Sequence, residues 1–202
     1  MMQYAWLNPV VLELYRGQPL EEILFQKGFQ LVTCHEDHIH TVKRAYKNYC
    51  TQAQGCTLDM RCPKAVSYVR EYFAPGNVDF PEIYPILIHC ALELHRRYAG
   101  EEDFLTVITP CEALSQLGEG LELSNTRFMT WNAFEKENGI SLRRTRLSAS
   151  PIPPGFFSDF GKHPILRSRQ EIDVFFKNRG YEGEAMVEML YCQDGCHHGD
   201  GV

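Results

Sequence analysis

The chain has 202 residues, of which 44% are hydrophobic and 23% charged, a composition typical of one globular domain or of two small lobes with an apolar core. Its formal net charge is -6, and it carries no basic stripe or arginine-rich arm, which argues against nucleic acid as the main partner. The longest apolar run, YPILIHCALEL, is too short to cross a bilayer, and the first residues, MMQYAWLNPVV, lack the features of a secretion signal; we therefore expect a cytoplasmic protein without a membrane span.

Helical and strand-like patterns alternate along the chain. The first half predicts a helix at LEEILFQKGF, a buried strand at FQLVTC, and helices at HEDHIHTVKRAYKNYC, CPKAVSYVREYFAPG and YPILIHCALELHRRYAG. The second half predicts a strand at DFLTVITP, a strand running into a helix at NTRFMTWNAFEKENGI, a helix at RSRQEIDVFFKNRGY and a last strand at AMVEMLY. Pro63 in a first helical turn and Gly100 after a last turn are typical helix boundaries.

A proline-rich segment interrupts this alternation near residues 148–164. Its sequence, SASPIPPGFFSDFGKHP, carries four prolines and predicts a loop or a connector between lobes. Strands that alternate with helices predict an α/β fold with one parallel sheet or two small ones.

The chain has eight cysteines, an unusual number for a cytoplasmic protein, in which disulfides do not persist. Buried thiols, metal ligands and catalytic thiols are the alternatives. Cys90, within ILIHCALEL, and Cys34, at the end of a predicted strand, are interpreted as packing residues. Four of the others lie where packing explains them poorly.

These four are Cys62, Cys111, Cys192 and Cys196. Cys111 and Cys192 follow predicted strands, at the carboxyl ends where open α/β sheets bind ligands, and Cys196 lies in the glycine-bounded loop beyond. Cys62 precedes a helix start, which stabilises negative charge and so favours a thiolate. The four can converge on an all-cysteine site for zinc or for an iron–sulfur cluster. Structural zinc usually takes two tight cysteine pairs, whereas the chain has one, and this spacing favours the cluster.

Three segments resemble the signature segments of a known family. CPKAVSYVREYFAP, TVITPCEAL and YCQDGCHHGDG are similar, in this order, to the T-S-C-C-P-G-W, M-P-C-x-x-K and C-x-x-G-C-x-x-G-G-G segments of iron-only (FeFe) hydrogenases. LEEILFQKGFQLV, YPILIHCALELHRRYAG and FMTWNAFEKENGISL resemble stretches between these segments, so the resemblance covers nearly the whole chain. It implies that residues 1–202 form a single iron-only hydrogenase-like domain of two small lobes, in which helices flank parallel sheets and the cluster lies in the cleft between the lobes.

The resemblance also implies a ligand set. The four cysteines that hold a 4Fe-4S cubane in the family fall on Cys62, Cys111, Cys192 and Cys196 of this chain. In the family the last of them also bridges to a two-iron subcluster, where protons and hydrogen are interconverted. All four ligand positions are therefore retained, with Cys196 at the bridging position.

The positions that serve the two-iron subcluster differ from the family. The proton-relay cysteine falls on Arg61, the lysine that grips a cyanide falls on Leu114, and the acidic residue after it falls on Leu117. FFSDFGKHPILRSRQEI occupies the region of the family's glycine-rich G-G-V-x-E-A stretch. Arginine stays protonated and cannot relay protons as a thiol does. We therefore expect the cubane without the two-iron subcluster and without hydrogenase activity.

Three functional classes follow from these residues. The first is an iron–sulfur redox protein with one 4Fe-4S cluster, which acts in electron transfer or redox sensing as a subunit or partner of a larger oxidoreductase. Because the sequence has no ferredoxin-like C-x-x-C-x-x-C module, such a protein needs an external redox partner. The second is an active, divergent FeFe hydrogenase, and the third is a zinc-stabilised interaction module.

Several further residues have a functional and a structural interpretation. Cys50 and Cys56 could form a second metal site, or they are ordinary loop or core thiols. His35 and His38 could share a helix face and bind zinc, or they mark an exposed helix start. His197 and His198 could tune or ligate the cluster, or they lie on the surface in a flexible tail. Glu112 and Asp194 could relay protons, or they accept loop hydrogen bonds or face solvent.

Overall fold

The computed structural model describes all 202 residues and divides them into two compact units. Unit 1 comprises Met1–Glu36, Leu87–Pro151 and Gly199–Val202, and unit 2 comprises Asp37–Ile86 and Ile152–His198. One of the changes from unit to unit falls between Pro151 and Ile152, inside the proline-rich segment.

A four-stranded parallel sheet forms the centre of unit 1. Numbered along the whole chain, its strands are β1 (Gln3–Leu7), β2 (Phe29–Leu31), β5 (Phe104–Thr109) and β6 (Thr126–Thr130). They are ordered β2-β1-β5-β6, with Gln3 opposite both Phe29 and Phe104. Most of β5 is buried, as expected for a central strand of a parallel sheet that is covered on both faces.

Five helices accompany the unit 1 sheet. They are α1 (Pro9–Leu14), α2 (Leu20–Gln26), α5 (Ile86–Tyr98, whose first residue is counted with unit 2), α6 (Glu112–Glu119) and α7 (Trp131–Asn138). Thr130 caps α7 by accepting a hydrogen bond from the Ala133 N–H, and Gly139 ends it in the left-handed conformation. Trp131 and Phe134 are fully buried, so α7 is held by apolar packing as well as by its caps.

Unit 2 contains a second four-stranded parallel sheet. Its strands are β3 (Cys56–Leu58), β4 (Val78–Asp79), β7 (Ile165–Leu166) and β8 (Met186–Met189), ordered β4-β3-β8-β7. Its helices are α3 (His38–Cys50), α4 (Pro63–Tyr72) and α8 (Arg169–Lys177), and two short 3-10 turns span Ser158–Phe160 and Cys196–His198. Its hydrophobic core contains Leu58 and Val187 from the sheet, which pack with Val69, Ile172 and Phe176 from the helices.

The α/β prediction with parallel sheets flanked by helices is therefore confirmed. Several elements were not predicted, among them β1, β3 and α6. The predicted strand FQLVTC is shorter in the structure, where β2 ends at Leu31. The longest helices, α3 and α5, have 13 residues, and no helix combines the length and the apolar character that a membrane span requires.

The packing of α6 against β6 gives a prediction about Gly118. A Cβ atom at this buried helical position would overlap the ring of Phe128, which is itself buried. We expect Gly118→Ala to lower the free energy of unfolding by about 1–3 kcal/mol, because overpacking outweighs the better helix propensity of alanine. Urea unfolding measures the change. Gly100→Ala is the control, since a Cβ there meets nothing within 4 Å, and an equal effect of both variants would contradict the prediction.

Candidate metal centre

The two central strands of the unit 2 sheet lead directly to predicted ligands. β3 and β8 pair in parallel, so their carboxyl ends lie at the same edge of the sheet. Cys62 follows the end of β3 by four positions, and Cys192 follows the end of β8 by three. Ligands in open α/β sheets bind in the crevice outside the carboxyl ends of the strands.

Cys62 occupies the N-cap position of α4, directly before Pro63. Burial raises the pKa of its thiol, while the backbone N–H groups of Tyr191 and Ala65 lie close enough to the sulfur to oppose that rise. The proximity of Tyr191 brings Cys62 close to the segment that carries Cys192. N–H groups directed at a sulfur, together with the positive end of a helix dipole, stabilise a thiolate once a cationic metal centre removes the proton.

The loop after β8 is built by short backbone hydrogen bonds. The Gly195 N–H donates to Cys192 O at 3.2 Å, and the His198 N–H donates to Gly195 O at 3.2 Å. Asp194 and Gly195 both have positive φ angles, 54° and 126°, which turn the chain sharply between the two cysteines. Cys196 then begins a 3-10 turn that continues to His198. The loop therefore has a defined geometry that fixes the directions of its two cysteines.

His197 is buried in the structure, whereas one interpretation of the sequence placed it on the surface. Its exposure is 3%, and its ring lies 3.9 Å from that of His198, centroid to centroid. Nδ1 of His198 lies 2.7 Å from Gln193 O, so that nitrogen donates to the carbonyl. The expectation of two surface histidines in a tail is thus wrong for His197, because the 3-10 turn directs its side chain inward.

In unit 1, Cys111 lies in the equivalent place after a central strand. β5 ends at Thr109, and Cys111 is the buried N-cap of α6. Residues from the end of the chain pack beside it: the Gly201 N–H donates to Pro110 O at 3.2 Å, and a Cβ on Gly201 would lie 2.9 Å from the Cys111 nitrogen. Only glycine therefore permits this close approach. Because the connections from β1 to β2 and from β5 to β6 run outward in opposite directions, Cys111 follows a strand at the switch point of its sheet.

Arg61, directly before Cys62, is held in a buried ionic network that the sequence did not reveal. Its Nε lies 3.0 Å from Asp59 Oδ1, and its Nη2 lies 2.8 Å from Asp59 Oδ2 and 2.9 Å from Glu188 Oε1. The side chains of both carboxylates are fully buried. Glu188 also accepts hydrogen bonds from the backbone N–H groups of Gly155, Phe156 and Phe157. The guanidinium is thus fixed by two carboxylates.

These contacts favour the charged forms of Arg61 and Glu188, whereas at Asp59 burial outweighs the contacts with Arg61 and raises the pKa of the carboxyl. Burial disfavours the Arg61 cation, but Asp59 and Glu188 outweigh this effect and raise the pKa of Arg61 above its usual range. Burial likewise disfavours ionisation of Glu188, yet the Arg61 charge and the backbone donors lower the pKa of this carboxyl. A guanidinium in this setting keeps its protons and orients the chain next to Cys62.

The other four cysteines are Cys34, Cys50, Cys56 and Cys90, of which Cys56 and Cys90 are buried. A hydrogen bond between the Cys90 and Cys34 thiols in unit 1, together with burial, raises the pKa of Cys90 far above its ordinary value. Cys56 lies in β3, where burial raises its pKa to about 12. Both thiols are therefore neutral at physiological pH. Cys50 is half-buried in the last turn of α3.

The structure also places His35 and His38, which the sequence analysis considered as zinc ligands, and Leu114. α3 begins only at His38, with Asp37 as its N-cap, so His35 lies outside the helix and the two rings do not share a helical face. His38 is buried rather than at an exposed helix start, so that expectation is wrong for this residue. Leu114 is buried within α6, as expected for an apolar core residue.

The predicted donors of unit 2 are the thiols of Cys62, Cys192 and Cys196, two of which lie in one hydrogen-bonded loop. Thiolates are ligands of both zinc ions and iron–sulfur clusters. No protein-family model and no curated protein matches the chain.

Proposed function

We propose that the chain binds one 4Fe-4S cluster through Cys62, Cys111, Cys192 and Cys196 and acts in electron transfer or redox sensing. The observation that carries this proposal is the placement of the cysteines. In each unit they follow the carboxyl ends of the central parallel strands, where α/β sheets bind their ligands. An iron-only hydrogenase-like domain, with the cluster in a cleft between two lobes, is the fold that this ligand set implies.

The charge around the ligands suits an anionic cluster. Four thiolates give a cubane a net negative charge, and Cys62 and Cys111 are both N-caps of helices, α4 and α6, whose positive dipole ends favour it. The Tyr191 and Ala65 N–H groups beside the Cys62 sulfur stabilise added electron density on that ligand. When bound, the cluster supplies one-electron chemistry. The protein fixes the ligand directions through helix caps and the hydrogen-bonded loop from Cys192 to His198.

Several features support a redox role without hydrogen chemistry. At the family's relay position, the Arg61 guanidinium is paired with two buried carboxylates and keeps its protons. At the position of the cyanide-gripping lysine, Leu114 is an apolar core residue that offers no donor to an anionic two-iron unit. We therefore propose that electrons pass to and from a redox partner protein or the other subunits of an oxidoreductase complex.

Anaerobic purification with metal analysis tests the proposal. We expect a brown protein with about four irons and four sulfides per chain, which gives an electron paramagnetic resonance signal after chemical reduction. It should evolve no hydrogen from a strong reductant, including after incubation with hydrogenase maturation proteins. A colourless protein that contains zinc and no iron would instead identify an interaction module. Infrared bands from CO and cyanide, together with hydrogen evolution, would identify an active hydrogenase.

A further inference from the structure

Two cysteines and a histidine that are not among the proposed cluster ligands come together in the structure. Cys34 lies three positions after the end of β2, Cys90 lies within α5, and His38 is the first residue of α3. The two sulfur atoms and one ring nitrogen of the histidine all lie within 4.8 Å of one another. Thiolate sulfur and imidazole nitrogen are both zinc ligands, and the three residues between Cys34 and His38 match the short spacing of ligand pairs in zinc sites.

The Cys34 and Cys90 thiols are already in contact. Their hydrogen bond is the main cause of the raised pKa of Cys90, which is only 8% exposed. A divalent cation that displaces both thiol protons replaces this hydrogen bond with two metal–sulfur bonds. Because its two positive charges balance the two thiolates and the histidine stays neutral, the resulting site has no net charge to bury.

The spacing of the three ligand atoms suits a tetrahedral ion. Zn–S bonds of about 2.3 Å and Zn–N bonds of about 2.0 Å place tetrahedral ligands about 3.5–3.8 Å apart. Ligand atoms within 4.8 Å of one another reach this spacing by small side-chain rotations. The fourth position of the tetrahedron is open to a water or to the Glu36 carboxylate, which has an oxygen within 4.8 Å of a His38 ring nitrogen.

α5 also fixes the segment that follows Cys34. The buried carboxylate of Glu93, one turn after the cysteine of this helix, accepts hydrogen bonds from the His35 N–H at 2.8 Å and from the Glu36 N–H at 3.2 Å. Arg97, on the next turn, donates to the same carboxylate at 2.7 Å. These bonds hold the backbone between the first two ligands without a metal, so the binding of an ion costs less conformational freedom.

We propose that Cys34, His38 and Cys90 bind one zinc ion, with an oxygen atom as the fourth ligand. Thiolate and imidazole ligands favour zinc over magnesium and calcium, which take oxygen ligands. Because zinc has no redox chemistry, the ion holds the segment after β2 against α5 and carries no electrons. The site shares no residue with the proposed 4Fe-4S cluster, so each can be present without the other.

Zinc analysis and zinc K-edge X-ray absorption of the full chain test the proposal, on protein purified anaerobically from zinc-supplemented cells. We expect about one zinc per chain, bound to two sulfur atoms at about 2.3 Å and to two nitrogen or oxygen atoms at about 2.0–2.2 Å. The zinc edge reports this site whether or not the protein contains iron. A protein without zinc would overturn the proposal, and so would a shell of four sulfur atoms, which is the signature of zinc bound at the four cluster cysteines.

Substitutions assign the ligands. Cys34→Ser and His38→Gln should each lower the zinc content to less than about 0.2 per chain and leave the iron content unchanged, whereas Cys62→Ser should keep the zinc. His40→Gln and Cys50→Ser are the matched controls, because these residues lie on α3 but are not ligands of the site. Zinc that persists in the folded Cys34→Ser and His38→Gln proteins, or that is lost equally from the controls, would contradict the assignment.

Discussion

Replacement of any one of the four proposed ligands by serine should remove most of the cluster. We expect Cys62→Ser, Cys111→Ser, Cys192→Ser and Cys196→Ser to lower the iron content of anaerobically purified protein from about four per chain to less than about one. A hydroxyl is a poorer ligand than a thiolate for iron in such clusters, and the remaining three cysteines cannot close the coordination of the fourth iron. Iron and sulfide analysis with visible absorption measures the loss.

Cys90→Ala provides the control for these four variants. Cys90 is buried like Cys111, but its thiol is hydrogen-bonded to Cys34 and it is not one of the proposed ligands of the cluster. The control protein should therefore keep its iron and its sulfide. Circular dichroism checks that each variant is folded. A Cys90→Ala protein without iron, beside a Cys111→Ser protein with full iron, would contradict the ligand assignment.

The largest expected change in stability concerns Arg61. Arg61→Met should lower the free energy of unfolding by about 3–5 kcal/mol, because it leaves Asp59 and Glu188 as buried carboxylates without their cation. Methionine keeps much of the aliphatic volume, and Arg61 also packs on the ring of Phe156, with its guanidinium carbon 4.0 Å from the centroid. The measured effect should therefore reflect mainly the unpaired charges. Urea unfolding of the apoprotein gives the value.

A matched surface pair and a second substitution isolate this effect. Arg96→Met removes an arginine from an exposed pair with Glu36, whose side chains are 61% and 59% exposed, and should change stability by less than about 1 kcal/mol. Adding Glu188→Gln to Arg61→Met removes one of the unpaired charges and should recover part of the loss. A cost below about 1 kcal/mol for Arg61→Met would mean that the network contributes little to the fold.

Local sequence patterns predicted the larger elements because those elements are set by nearby residues. α4 begins at Pro63 and α7 ends at Gly139, as the prolines, glycines and apolar spacing of their segments indicate. β3 and β4 were missed, because strands of three and two residues are too short to show a periodic pattern. β1 was missed because its last three side chains are all buried, so the strand shows no alternation of apolar and polar residues.

The positions of the four cysteines relative to the secondary structure were predictable from the sequence, but the surroundings of these cysteines were not. The cysteines could be placed after strand ends because the strands TVITP and EMLY and the helix start at Pro63 are visible in the sequence. The partners of Arg61 were not predictable. Glu188 lies 127 positions away, and nothing in the local sequence pairs the two residues. The inward direction of His197 likewise depends on how the 3-10 turn packs.

The amino-acid sequence by itself determined the alternation of strands and helices and the positions of four cysteines relative to their ends, since propensity and hydrophobic spacing act over a few neighbouring residues. The tertiary structure alone decided the order of the strands in each sheet, the ionic network around Arg61 and the proximity of Cys90 to Cys34 and His38. These features depend on contacts between residues far apart in the chain, which form only when the apolar faces of distant elements pack together.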